Sequence, residues 1–191
     1  MTRLICGIGY NHKLNPDIET TKRLVARQTW ADMIKRCYSI KFQKKHPTYI
    51  GCTVADEWHD FQNFADWYEE SSFSDFGYHL DKDLLVGGNK LYSPETCCFL
   101  PQEINKAIMF RRSNEGGCPY GVSLTKGSKK YKAQLSVDRR RLTLGWFDCP
   151  NEAHQVYKEA KERYIRNKAL EWANRIEWNV FVALMNWTLD S

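Results

Sequence analysis

No run of about 18 apolar residues occurs in the chain, so a membrane-spanning helix is not expected. The opening MTRLICGIGYNHK breaks its short apolar stretch with two glycines and with charge, which the core of a secretory signal does not do. No CxxC pair exists among the seven cysteines, at positions 6, 37, 52, 97, 98, 118 and 149, and their number is odd. A zinc knuckle lacks its spacing, and without a secretory signal the expected compartment is a reducing cytoplasm, so buried thiols and not a disulfide framework are the expectation. Only 6 prolines and 11 glycines punctuate 191 residues, whereas 14% of the chain is aromatic and 42% hydrophobic. That composition excludes wholesale disorder, because it supplies the apolar area that offsets chain entropy. The length suits one ordinary core or two small ones and excludes a large multidomain enzyme. Two catalytic patterns are also missing. Gly87-Gly88-Asn89 lacks the later glycine and lysine of a phosphate-cradling loop, and Cys97-Cys98 has no glycine elbow around a nucleophile.

Excess positive charge is absent from most of the chain, although the net charge is +5. Residues 1–110 hold 13 Lys and Arg against 14 Asp and Glu, and residues 142–191 hold 6 against 7, so each stretch is −1. Residues 111–141 hold nine (Arg111, Arg112, Lys126, Lys129, Lys130, Lys132, Arg139, Arg140 and Arg141) against Glu115 and Asp138, a net of +7. A basic block confined to about 30 residues is the sequence footprint of polyanion binding.

Periodicity organises the chain into an α+β fold. Trp30, Met33, Ile34 and Cys37 fall at helical spacing within 29–38, and Trp58, Phe61, Phe64, Trp67 and Tyr68 do so in DEWHDFQNFADWYEE, with Asp56 as the expected cap. The intervening 38–49 has no period and reads as an exposed basic loop. Residues 78–86 read as a strand, Gly87-Gly88-Asn89 as a turn, 92–100 as a second extended segment, and Pro101 as the start of a helix buried through Ile104, Ile108 and Met109. Beyond SNEGGCPYG, Val122, Leu124, Tyr131, Ala133, Leu135 and Val137 alternate with polar residues, LTLGWF gives a third strand, and Asn151 is expected to cap a helix carrying Ala153, Val156, Tyr157, Ala160 and Ile165 on one face. A further helical period runs from Leu170 to Trp187. Two modules are expected: 1–110, a helical region ending in a β-hairpin and helix, and 111–191, a three-stranded antiparallel sheet packed on a helix.

A β-hairpin followed by a helix is the scaffold of metal-dependent nucleases of the His-Asn-His (HNH) type. One divalent cation, Mg²⁺ or Mn²⁺, needs an oxygen ligand from the hairpin and one from the helix, and a nearby base takes a proton from water. Asp81 and Asn105 could supply the ligands, and Asn89 sits in the loop, where a side chain orients the base or braces the hairpin. His79, two residues before Asp81 on the same strand face, is the candidate base, while its ordinary reading is a partly exposed strand histidine. Lys82 is the poorer candidate. An amine of ordinary pKa about 10.4 would have to fall to about 7.5, at roughly 4 kcal/mol, and Asp81 and Asp83 on either side favour its charged form.

The segment LDKDLLVGGNKLYSPETCCFLPQEIN resembles a family of tailed-phage HNH endonuclease-like proteins, many of which carry an Apetala-two-type DNA-binding domain. It is preceded by RCYS and HPTYIGCTVADEWHDFQNFADWYEE and followed by LGWFDCPNEAHQVYKEAKERYI; CGIGYN near the start and VALMNWTLD near the end also match. The resemblance covers nearly the whole chain. It implies a nuclease-like hairpin and helix, then a DNA-binding sheet, in the cytoplasm of a bacterial host. Nucleases of the wider superfamily have Asp-His at the first motif; here Lys82 follows Asp81.

A sheet can enter the major groove with alternate side chains reaching bases and phosphates. Lys126, Lys130, Lys132, Arg139, Arg140 and Arg141 are the candidates, with Arg111 and Arg112 tracking the backbone from the linker. The leading expectation is a homing or nicking endonuclease acting on double-stranded DNA. Its rival is a non-catalytic DNA-binding protein on a degenerate HNH scaffold. A third reading, inhibition of a host protein through the aromatic-rich first half, rests on 7 Trp and 10 Tyr, residue types that suit interfaces.

Overall fold

The computed structural model describes residues 4–12, 21–71, 73–74, 77–109, 117–138 and 140–189. The chain divides into two units, 1–105 with 174–183, and 106–173 with 184–191. Among the described residues no helix is long and apolar enough to cross a membrane.

The first unit is built on α1 (Thr21–Tyr38) and α3 (Phe61–Glu70). Ala26, Trp30, Met33, Ile34 and Cys37 form the buried stripe of α1, and Phe61, Phe64, Ala65 and Tyr68 that of α3. The Trp30 indole N–H donates to the Trp58 carbonyl at 2.7 Å, so a large aromatic is buried with its one polar group satisfied. Trp67 stacks on Phe99 at 5.2 Å, carrying the core to the strands. Asp60, not Asp56, caps α3: its carboxylate accepts the Gln62 N–H at 3.1 Å, and Asp56–His59 form a separate 3-10 turn. The aromatic period of 58–68 crosses this break without a phase change large enough to reveal it. Residues 40–45, expected to be loop, form α2 (Ile40–Lys45), capped by the Ser39 hydroxyl.

Two short strand pairs follow. β1 (Thr53–Val54) pairs in parallel with β3 (Leu91–Tyr92), and β2 (His79–Asp81) pairs antiparallel with β4 (Cys98–Leu100) in the register His79↔Leu100, Leu80↔Phe99, Asp81↔Cys98. The strand expected over 78–86 therefore stops at Asp81, whose Oδ1 accepts the N–H groups of Asp83 and Leu84 at 2.9 and 2.8 Å. A side chain that captures the next two or three amides turns the backbone out of the ladder. Cys97 and Cys98 are both buried. α4 (Gln102–Ile108) begins immediately after Pro101 and buries Ile104, whereas Met109, expected on the same buried face, lies past the last turn and is exposed.

In the second unit β5 (Val122–Leu124), β6 (Tyr131–Val137) and β7 (Arg140–Phe147) form an antiparallel sheet in that order, covered on one face by α5 (Pro150–Trp172). Val122, Ala133 and Leu135 meet Ala153, Tyr157 and Ala160 there. The alanines permit close approach of helix and sheet. At Gly121, φ is +76° and an added Cβ would lie 2.2 Å from the Tyr157 ring, so the chain enters β5 through a position only glycine fills. Cys149, rather than Asn151, stands at the start of α5, with Pro150 in the first turn and no side-chain cap. The remaining helical period belongs to α5, a 3-10 turn at Ala173–Arg175, and α6 (Trp178–Met185).

Candidate functional site

Two surfaces carry the candidate residues. In the first unit, the β2–β4 pairing sets His79 and Asp81 on the same face, with buried Leu80 opposite. α4 brings Asn105 to that face, where its Nδ2 lies 3.3 Å from His79 Nδ1. Of the side chains nominated from sequence, His79 and Asn105 are in contact, and Asp81 lies two residues along the His79 face. Burial pushes the Asp81 carboxyl upward, against the opposing effect of the Leu84 and Asp83 amides.

Lys82 faces inward. Its ammonium is buried, bonds the Asp83 carboxylate, donates to the Asn89 carbonyl at 2.6 Å, and lies 5.7 Å from the centre of the Tyr92 ring. Asn89 completes the brace: its Nδ2 donates to the carbonyls of Lys82 and Leu91 at 2.8 and 2.6 Å, and its Oδ1 accepts the Leu91 N–H at 2.9 Å. Both side chains hold the loop between β2 and β3 in shape.

A magnesium-type ion takes one or two protein oxygens and completes its shell with water and substrate phosphate. The donor set here is of that kind: the Asp81 carboxylate, whose Oδ1 is engaged by backbone, and the Asn105 amide oxygen. Among the described residues no group of three His, Cys, Asp or Glu side chains is arranged to hold a metal without such help. Asp81 and Asn105 are oxygen donors of the types such an ion takes.

Asp81→Asn separates the turn from the charge. Asparagine retains the oxygen that accepts both amides, so the turn persists. Because the folded carboxyl is raised, its contribution to stability is full below the ordinary carboxylate range and is lost as pH rises through the elevated value. The Tm of Asp81→Asn relative to wild type is accordingly expected to climb as pH rises from about 4 toward neutrality. Melting curves at both ends of that range check it, and a relative Tm that falls with pH contradicts it.

The second surface is the face of the sheet opposite α5. The register aligns Ser123 with Lys132, Lys132 with Trp146, Gln134 with Thr143, and Ser136 with Arg141. Gln134 Nε2 donates to Thr143 Oγ1 at 3.4 Å across the strands. Trp146 is 60% exposed, an unusual position for an indole, and it stands beside Lys132. This residue escapes a reading by strict alternation. A register shift between Ala133 and Gln134 opposes one extra residue on β7, so Trp146 joins the face of Arg141 and Thr143 despite its odd spacing from them. The bulge itself left a trace in the sequence, a glycine directly before an aromatic pair in LGWF.

The other nominated cations are distributed differently. Lys126 is exposed in the turn between β5 and β6, and Lys130 is tied to the Asp148 carboxylate at 2.7 Å. Arg140 pairs with Val137, on the α5 side of the sheet, although it is exposed. Arg111, Arg112 and Arg139 lie outside the described residues. Comparison with known proteins gave no match of any kind: no family model, no curated protein and no solved structure matches the chain.

Proposed function

We propose that the protein binds double-stranded DNA through the solvent face of β5–β7. The observation that carries this reading is the grouping of Lys132, Arg141, Gln134, Thr143 and Trp146 on the sheet face away from α5. Arginine and the amide can pair with base edges, lysine and threonine with phosphate, and the indole can pack on sugar or a thymine methyl. The surrounding +7 segment supplies long-range attraction. The test is binding of the purified chain to a duplex of about 30 base pairs across a salt series. A log–log slope of about −3 or steeper is expected, at about 0.9 per neutralised phosphate. Affinity independent of salt would remove the reading.

A second reading, favoured by the contact between His79 and Asn105, is Mg²⁺- or Mn²⁺-dependent cleavage of the bound DNA. Asp81 and Asn105 would hold the ion, which when bound polarises the scissile phosphate and neutralises the leaving oxygen. His79, exposed beside them, accepts the proton of the attacking water. Lys82 and Asn89 keep the loop in place. If the wild-type protein binds duplex DNA and leaves it intact with either metal, the non-catalytic reading stands in its place.

A further inference from the structure

We propose that the first unit carries a second phosphate-binding surface, in which Lys41, Lys44 and Lys45 of α2, together with Lys35 near the end of α1, contact the DNA backbone independently of sequence. The proposal rests on the DNA-binding reading above, but on residues of a different unit.

Its basis is a local segregation of charge that the near-neutral balance of residues 1–110 conceals. Between Asp32 and Asp56 there is no acidic residue, while Lys35, Arg36, Lys41, Lys44 and Lys45 all fall in that interval. Arg36 is half-buried against the Tyr49 ring and is occupied in packing. The four lysines are exposed. Lys41, Lys44 and Lys45 stand at i, i+3 and i+4, one stripe of the helix.

The stripe is held rigidly. Phe42 packs on His46 and Tyr49 with ring centres 4.5 and 5.8 Å away. The Gln43 amide donates to the carbonyls of Cys37, Arg36 and Tyr49 at 2.5, 3.3 and 3.3 Å. Those bonds satisfy the exposed carbonyl end of α1 and fix α2 to it. A six-residue helix is far below the length that is stable alone, so this packing, and not the lysines, keeps it folded.

The charges themselves give the fold little. Like charges at these spacings repel one another, partly offset by the negative ends of the two helices. Some other cations of this protein are paired, Arg23 with Asp66 at 2.6 Å and Lys130 with Asp148. Among the described residues no carboxylate pairs with Lys35, Lys41, Lys44 or Lys45. Lys90 adds a further cation nearby, donating to the Thr48 carbonyl at 2.8 Å. Ammonium groups without internal partners, carried on a helix fixed by its packing, fit a polyanion, and lysine, as a point charge, fits phosphate without reading sequence.

The experiment uses the full chain, the same duplex of about 30 base pairs, and the triple variant Lys41→Gln, Lys44→Gln, Lys45→Gln. Its log–log salt slope is expected to be shallower than wild type by about 0.9 for each phosphate no longer neutralised, and the corresponding triple arginine variant to retain the wild-type slope. A wild-type slope in the glutamine variant overturns the proposal. If in that case substitutions on the sheet face still abolish binding, only this inference falls and the DNA-binding reading survives. Weaker binding to phosphatidylserine vesicles in the glutamine variant, with its DNA slope unchanged, overturns the proposal as well.

Discussion

The variant Lys132→Ala, Arg141→Ala, Trp146→Ala is expected to bind duplex DNA about a thousandfold more weakly than wild type near physiological salt. Each interaction with a base or phosphate in a groove contributes about 1–3 kcal/mol, and three removed together approach 4 kcal/mol or more. The three side chains lie away from α5, and the alanines replace none of the residues that pack the sheet on the helix, so Tm is expected to change little. The components differ in kind. Removing Lys132 should flatten the salt slope by about 0.9, whereas removing Trp146 should lower affinity at every salt concentration with the slope retained. Isothermal titration or anisotropy with the single and triple variants separates these effects. Wild-type affinity in the folded triple variant would eliminate this face as the DNA surface. Lys130→Ala provides a contrast, since its ammonium is already engaged by Asp148 and should change the slope less than Lys132→Ala.

Which parts of this architecture could be read from sequence depends on whether a side-chain period had a buried face to match. The stripes Trp30–Cys37 and Phe61–Tyr68 and the alternation Ala133, Leu135 were legible because each places apolar residues against a core, and the structure buries them. α2 was not legible. IKFQKK buries no residue, and its helix depends on Gln43 meeting carbonyls of α1 and of a 3-10 turn at Pro47–Tyr49, a tertiary arrangement with no local period. The strand at 78–86 was overextended because Leu84, Leu85 and Val86 look like strand residues, while a single Asp81 oxygen ends the ladder by taking two amides. Trp146 was hidden by the extra residue on β7, since one bulge reverses the facing of every residue beyond it.

The candidate nuclease surface shows the same division. Asp81 and Asn105 were legible as residue types on a strand and a following helix, and the nearness of His79 to Asn105 follows from those two elements meeting. The inward course of Lys82 was not visible, because its partners Asn89 and Tyr92 come from farther along the chain and a lysine in a sequence ordinarily reads as surface. A buried ammonium at this place makes the loop conformation depend on a charge-assisted hydrogen bond, and it removes the side chain after Asp81 from the face that His79 occupies.

That separation of roles leads to the second large effect. If the bound DNA is cleaved with Mg²⁺ or Mn²⁺, His79→Ala is expected to lower the rate by about 100-fold or more at unchanged Tm, the range found for loss of a positioned base. His79 is exposed, so its removal leaves no cavity. Lys82→Ala is expected to act through stability. It strips the Asn89 carbonyl of its ammonium and opens space under Tyr92, at a cost of about 1–3 kcal/mol, while Asp83, which is largely exposed, is rehydrated. Activity lost in Lys82→Ala should therefore return on cooling, along with the folded fraction, and that lost in His79→Ala should not. Rates measured at two temperatures beside thermal melts separate the cases. Activity that persists in His79→Ala and is lost in Lys82→Ala, with both variants melting like wild type, would move the base from His79 to Lys82 and require the ammonium to leave its partners at Asp83 and Asn89.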